Sequence, residues 1–173
     1  MNHAYVIRTE RLRLRQLELS DLELVLLWRN DPAIRQWFLS SGTITWEQHR
    51  NWYARYLENG ADIAFIAEDM AGLHEPVGIA ALYRIDASRG TAEFGRLMVG
   101  NARAKGKGFG LEIVGAICAF GFERLGLNAI DLEVYEHNAA AIKIYEKAGF
   151  RTVGAKSAEQ GPVRIMTLPN QGG

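Results

Sequence analysis

The chain has 173 residues, 48% apolar and 23% charged, with 20 basic and 20 acidic side chains and no formal net charge. That length suits one domain with a full hydrophobic core, and residues 1–173 are expected to form a single unit. The neutral balance argues against a nonspecific nucleic-acid binder, no apolar run approaches the ~18 residues of a membrane span, and a lone cysteine excludes an intramolecular disulfide.

Residues 11–17 alternate basic or polar residues with leucine, the period-two pattern of a strand with one wet face. Ser20-Asp-Leu-Glu23 has the form of a capping box, so a helix is expected to start there with Leu24, Leu27 and Trp28 on one side. Asp31-Pro32 restarts a helix, with Asp as N-cap and Pro in the first position. Thr45-Trp-Glu-Gln48 is a second capping box, opening a helix to about residue 59. Its Trp46, His49 and Tyr53 fall at i, i+3 and i+7, a stripe that reads as core or as a stacking platform for a ring. Residues 63–68, 77–85 and 91–99 read as strands, and the apolar end of the third suits the middle of a sheet. Residues 109–125 read as a helix with Ile113, Ile117 and Phe120 among its apolar positions; Cys118 lies in this run and is expected to be a buried, inert thiol. A strand over 129–135, a helix over 139–148 stopped by Gly149, and strands over 150–153 and 163–168 complete the chain. Helices mixed with neighbouring strands imply an α+β fold with a mixed sheet. No repeat, linker or apolar leader is visible, so a cytoplasmic location without a membrane partner is the expectation.

The most informative stretch is Arg103-Ala-Lys105-Gly106-Lys107-Gly108-Phe109-Gly110, a basic glycine-rich turn between a strand and a helix. Backbone N–H groups of such a turn converge on phosphate where the helix dipole favours negative charge. Gly106 and Gly108 permit positive φ and close backbone approach, and Arg103, Lys105 and Lys107 add charge. A solvated turn is the alternative. No P-loop string is present, and Gly106-x-Gly108-x-Gly110 has the wrong spacing for a dinucleotide fingerprint. Downstream, Asn138-Ala-Ala-Ala141 opens a helix that carries Tyr145 two turns later on the same face. Asn138 is a good N-cap in its own right, and Tyr145 is equally readable as a core tyrosine.

These two motifs, in this order and at this spacing, resemble the Gcn5-related N-acetyltransferase (GNAT) family. The resemblance runs from Arg11 to Leu168 and is most specific between Phe94 and Phe150. It implies a mostly antiparallel mixed sheet with flanking helices and a splayed cleft for acetyl-CoA. By that resemblance the stretch Arg103 to Gly110 cradles the pyrophosphate. Met98 and Val99 offer backbone groups to the pantetheine arm and an N–H to the thioester carbonyl. Asn138 and Ala141 lie beside the cofactor, and Tyr145 protonates the departing thiolate. Glu133 is implied as general base; Glu93, in the middle of the preceding strand, is a second candidate if strand parity turns it into the same cleft, and a water relay is the alternative. The N-terminal third, with Trp28, Arg29, Asn30 and Trp37, is left to build the acceptor side. Its Leu-Trp-Arg-Asn-Asp-Pro run resembles GNAT enzymes acting on nucleotide-linked amino sugars. It is shared in part with those acting on ribosomal-protein N-termini and on spermidine. The expected activity is acetyl transfer from acetyl-CoA to a small primary amine or nucleotide-sugar, by direct attack in a ternary complex. The rivals are a peptide N-terminal acetyltransferase and a silent acetyl-CoA sensor. A monomer or homodimer is expected. His3, His49, His74 and His137 are scattered without ligand spacing, so no metal is implied.

Overall fold

The computed structural model describes residues 1–172. β1 (Ile7–Arg8) and β2 (Leu12–Gln16) form the first hairpin. β2 buries Leu12 and Leu14 and turns its arginines outward, where Arg13 and Arg15 share one oxygen of Glu68 at 2.8 and 3.0 Å.

The first helix begins differently from the expectation. A 3₁₀ turn, Leu19–Asp21, leads into α1 (Leu22–Asn30). Asp21 accepts the Glu18 N–H at 2.8 Å and both terminal nitrogens of Arg15 at 2.8 and 2.9 Å. The cap therefore lies at Glu18, ahead of Ser20, and the helix is re-phased. Leu22, Val25 and Trp28 are buried, whereas Leu27 is 69% exposed. α2 (Pro32–Arg35) starts as expected, with the Asp31 carboxylate accepting the Ala33 N–H at 2.9 Å. α3 (Trp46–Glu58) carries the reciprocal bonds of its box: Gln48 N–H to Thr45 Oγ1 at 3.2 Å and Thr45 N–H to Gln48 Oε1 at 2.9 Å. Its buried stripe is one step off the expected one. His49 stacks on Trp52 and Trp52 on Tyr56, at ring separations of 5.7 and 5.4 Å, while Trp46 is 45% exposed.

β3 (Ile63–Asp69), β4 (Pro76–Asp86), β5 (Thr91–Met98), β6 (Ala129–Tyr135), β7 (Arg151–Ala158) and β8 (Gly161–Pro169) join the first two strands in one sheet of order β1-β2-β3-β4-β5-β6-β8-β7. All pairings are antiparallel except β5 with β6. The mixed, mostly antiparallel sheet is the α+β architecture the sequence implied. α4 (Phe109–Glu123) and α5 (Ala139–Lys147) cover one face with a core that includes Phe65, Phe94, Ile117 and Leu132. Val25 and Trp28 of α1 and Tyr56 of α3 cover the other, against Ile66, Ile79 and Met98. Cys118 is buried, and burial pushes its thiol up to about 12, which keeps it protonated and inert. Among the described residues no helix is long and apolar enough to cross a membrane.

The feature that makes the site is in β5. Ile79 faces Met98 and Ala81 faces Gly95, so two residues of β5, Arg96 and Leu97, stand opposite Ala80 alone. Arg96 has φ 56°, the left-handed region, without being glycine. The bulge shifts the strand's parity. Ala92 and Phe94 point into the α4 core, but Met98 points into the α1–α3 core. The parallel ladder with β6 spans only Thr91–Ala129, Ala92–Ile130 and Glu93–Asp131. Beyond Glu93 the two strands part, leaving a V whose β5 edge has no strand partner.

Candidate active site

The V opens into a cleft of about 530 Å³. Its walls include Gly95 to Val99 from β5 and its end, Glu133 and Val134 from β6, and Asn138, Ala141, Ile144 and Tyr145 around α5. Residues 37–40 roof it from the acceptor side. A second cavity of about 500 Å³ lies between α1, α3 and residues 38–44. It shares Arg29, Phe38, Ser40, Arg96 and Met98 with the cleft, so the two spaces meet at the bulge.

The glycine turn lies at one end of the V. Asn101 caps the short turn Ala102–Ala104 by accepting the Arg103 N–H at 3.0 Å. Gly106 and Gly108 then take φ of 74° and 78°. Gly108 is the N-cap of α4 and has no side chain to bond the first-turn amides, so the positive end of the helix is left for a ligand. Lys105 and Lys107 are exposed beside it. Arg103, expected to add charge at the turn, is paired with Glu75, and Asn101 Nδ2 donates to the same carboxylate at 2.9 Å. The cation that braces the turn is Arg11, which sequence reading missed. Arg11 donates to the Lys107 carbonyl at 2.7 Å and to Glu112 at 2.8 Å, and lies 4.3 Å over the ring of buried Phe109. Gly110 packs α4 onto α5, its Cβ position 3.3 Å from Ile144 Cδ1.

Asn138 is an N-cap, accepting the Ala141 N–H at 3.2 Å, and both residues also line the cleft. Tyr145 is 8% exposed and packs edge-on between Phe94 and Phe150, at ring separations of 6.1 and 5.9 Å. Burial, and then neighbouring Tyr83, raises its pKa well above the ordinary phenol value, and no hydrogen bond to a described residue contributes. Asn138 and Tyr145 thus share a face as the spacing implied.

The two candidate carboxylates lie on the other face of the sheet, because Ala92, Phe94, Leu132 and Val134 occupy the α4–α5 core. Glu133 lines the cleft and is paired with Lys156 at 2.8 Å. Glu93 does not line the cleft; it is paired with Arg84 at 2.7 Å. Tyr83, unremarked in the sequence, fills the space over Gly95, where a Cβ would come within 2.7 Å of its ring. Burial, and then the charge of Glu93, pushes Tyr83 up to about 12.

The four acceptor-side residues divide. Trp37 is 37% exposed, lines the cleft and lies 5.4 Å from the His137 ring. Arg29, 9% exposed, reaches both cavities over the Phe38 ring and donates to the Ser40 carbonyl. Trp28 and Asn30 do not reach the cleft. Trp28 packs on the Gly100 backbone, where a Cβ would meet its ring at 2.1 Å. Asn30 latches the roof segment through Ile44, donating to its carbonyl and accepting its N–H at 2.8 Å each.

The residues present fit a pantetheine–pyrophosphate chain. An unpaired strand edge offers backbone groups to an amide-bearing arm, and an uncapped helix N-terminus with two positive-φ glycines offers amides to phosphate. Among the described residues no group of three or more His, Cys, Asp or Glu could hold a metal.

Comparison with known proteins agrees with this geometry. A family profile described as acetyltransferase (GNAT) domain matches residues 11–151. The spermidine N(1)-acetyltransferase of Vibrio cholerae is 26% identical over 139 residues, 80% of this chain and 78% of that protein. The acetyltransferase PseH of Campylobacter jejuni is 26% identical over 138 residues, 78% of this chain and 80% of that one. Among solved structures, Vibrio cholerae spermidine N-acetyltransferase in complex with CoA and spermine superposes with a TM-score of 0.84. It covers 93% of this chain and 96% of that one at 23% identity, a likeness of fold. A splayed β5–β6 cleft, a glycine turn at the head of α4 and a profile match over most of its length place this chain in the GNAT family, as an N-acetyltransferase that uses acetyl-CoA.

Proposed function

We propose that the chain acetylates the primary amine of an anionic small molecule, with a nucleotide-linked amino sugar as the preferred class. The observation that carries this is the lining of the acceptor-side cavity: three arginines, Arg29, Arg55 and Arg96, and no carboxylate. Arg96 is matched by Asp62, which leaves Arg29 and Arg55. Burial, and then the charge of Arg35, lowers the pKa of Arg29. Guanidiniums in this setting suit the diphosphate of a nucleotide sugar, and Trp37, Phe38 and Trp52 offer faces for rings. Polyamine acetylation is the second reading and is favoured by the Vibrio relative's name, but a cation would enter a cavity that already carries excess positive charge.

A side-by-side assay of a UDP- or dTDP-linked amino sugar, a short peptide and spermidine tests the proposal. Thiol release is expected with the sugar nucleotide. Turnover of spermidine or peptide with none of the sugar nucleotide overturns the acceptor assignment. CoA binding without release by any amine would point to a sensor.

The bound thioester supplies an activated acetyl carbon. The chain's own proposed parts are the N–H groups of the Met98–Val99 segment toward the carbonyl oxygen, and Tyr145 as proton donor to the departing sulfur. Glu133 is proposed to receive the proton that the amine sheds, directly or through water. Its carboxylate is already engaged by Lys156 at 2.8 Å, so an incoming amine or water must share it. Glu133→Gln is therefore expected to lower kcat only about tenfold, at or below the low end of acid–base effects. It should also flatten the acidic limb of the pH–rate profile. If rate and profile both survive, Glu133 is structural and water carries the proton.

A further inference from the structure

We propose that Arg96 and Asp62 are a positioning pair: they hold the β5 bulge in the shape that aims the Leu97–Val99 backbone into the cleft. Their role is the same whichever amine is the acceptor.

Arg96 has φ 56° in the middle of a strand, a conformation that persists only when its surroundings impose it. Those surroundings are specific. The guanidinium bridges both oxygens of Asp62, at 2.6 and 2.8 Å. Asp62 is 4% exposed and immediately precedes β3. The ring of Tyr83 lies 4.7 Å from the guanidinium carbon and that of Trp52 lies 5.3 Å from it. Three elements (α3, β4 and the start of β3) thus grip one side chain, and a bidentate fork fixes its plane as well as its place.

The grip matters for the backbone beyond Arg96. The extra residue turns Met98 to the α1–α3 face and leaves Leu97 and Val99 packed on the opposite core. Without it the alternation set by Ala92 and Phe94 would continue, and every backbone group from residue 97 onward would be rotated out of place. Arg96 also stands where the two cavities meet, so the pair ties the acceptor half of the molecule to the strand end that serves the thioester.

The test uses the whole protein. It measures thiol release from acetyl-CoA with whichever of sugar nucleotide, peptide or spermidine the wild type turns over, and calorimetric titration with CoA. Arg96→Gly accepts the same φ but releases the anchor. Asp62→Asn keeps the shape and removes the charge. Arg96→Lys keeps the charge but cannot bridge both oxygens. Arg96→Gly and Asp62→Asn are each expected to lower kcat by about ten- to a hundredfold, the size of effect a small misplacement of reacting groups produces. CoA affinity should fall by less than kcat does, because the glycine turn is untouched, the double variant should be no worse than the worse single, and Arg96→Lys should fall between. Wild-type kcat in Arg96→Gly or Asp62→Asn overturns the proposal. So does a loss confined to acceptor KM, which would make Arg96 merely a wall of the acceptor cavity, and so does simple additivity of the two variants.

Discussion

Replacing Gly108 with valine is expected to lower acetyl-CoA affinity at least tenfold, about 1.4 kcal/mol, with the fold retained. Two effects act together. Gly108 holds φ 78° at the N-cap of α4, and a β-branched residue resists that conformation. The protein itself leaves room for a side chain there, the nearest atom to a Cβ being Arg11 Nη2 at 3.7 Å. The space is therefore open to a ligand, and valine would stand where phosphate approaches the first-turn amides. Gly108→Asn separates the two effects, since asparagine tolerates the left-handed region. If asparagine restores affinity, the glycine is needed for conformation; if both variants fail, it is needed for space. Titration of folded Gly108→Val with CoA checks the expectation, and unchanged affinity would remove the phosphate cradle from this turn.

What was legible in the sequence was what local chemistry decides. The Thr45 box, the Asp31–Pro32 start and the Asn138 cap are made by residues within three positions of one another, and each forms as expected. Strand alternation marked β2, because one wet face fixes period two, and β6 spans the 129–135 read for it. The cleft's position followed from the glycine turn and the downstream Asn138–Tyr145 pair. What failed was decided at a distance. Ser20 lost the cap to Glu18 because Arg15 fixes the Asp21 carboxylate. Arg103 was drawn to Glu75, 28 residues away, and Arg11 took over the glycine turn from nearly the other end of the chain. The parity of Glu93 and Glu133 was fixed only once the faces of Phe94 and Leu132 were known. The bulge is the clearest case. Nothing around Arg96 marks a left-handed residue, since its cause is a carboxylate 34 positions earlier. The acceptor side followed the same rule: Trp28 packs on Gly100 and Asn30 latches Ile44, contacts that no motif announces, and Tyr83 had no motif either.

Tyr145→Phe is expected to lower kcat by roughly ten- to a thousandfold, around the low end of general-acid effects, with CoA affinity little changed. The substitution removes one oxygen and keeps the ring wedged between Phe94 and Phe150, so packing is conserved. The raised pKa bears on the protonation state. A phenol whose charged form is disfavoured by burial stays protonated through neutral pH and well into the alkaline range. It is therefore always available to donate to a developing thiolate and never competes as an anion. The same displacement makes it a weak acid, which is why the lower half of that range is the better expectation: a CoA thiolate is already a fair leaving group. The alkaline limb of the pH–rate profile should accordingly not move in Tyr145→Phe, because Tyr145 does not titrate there. No described residue hydrogen-bonds this hydroxyl, so the variant breaks no internal bond and thermal stability should hold. Single-turnover rates across pH, beside CoA titration, decide the matter. A folded variant with wild-type chemistry would return Tyr145 to the core as a packing residue, and the thiolate would then leave unassisted or take its proton from water.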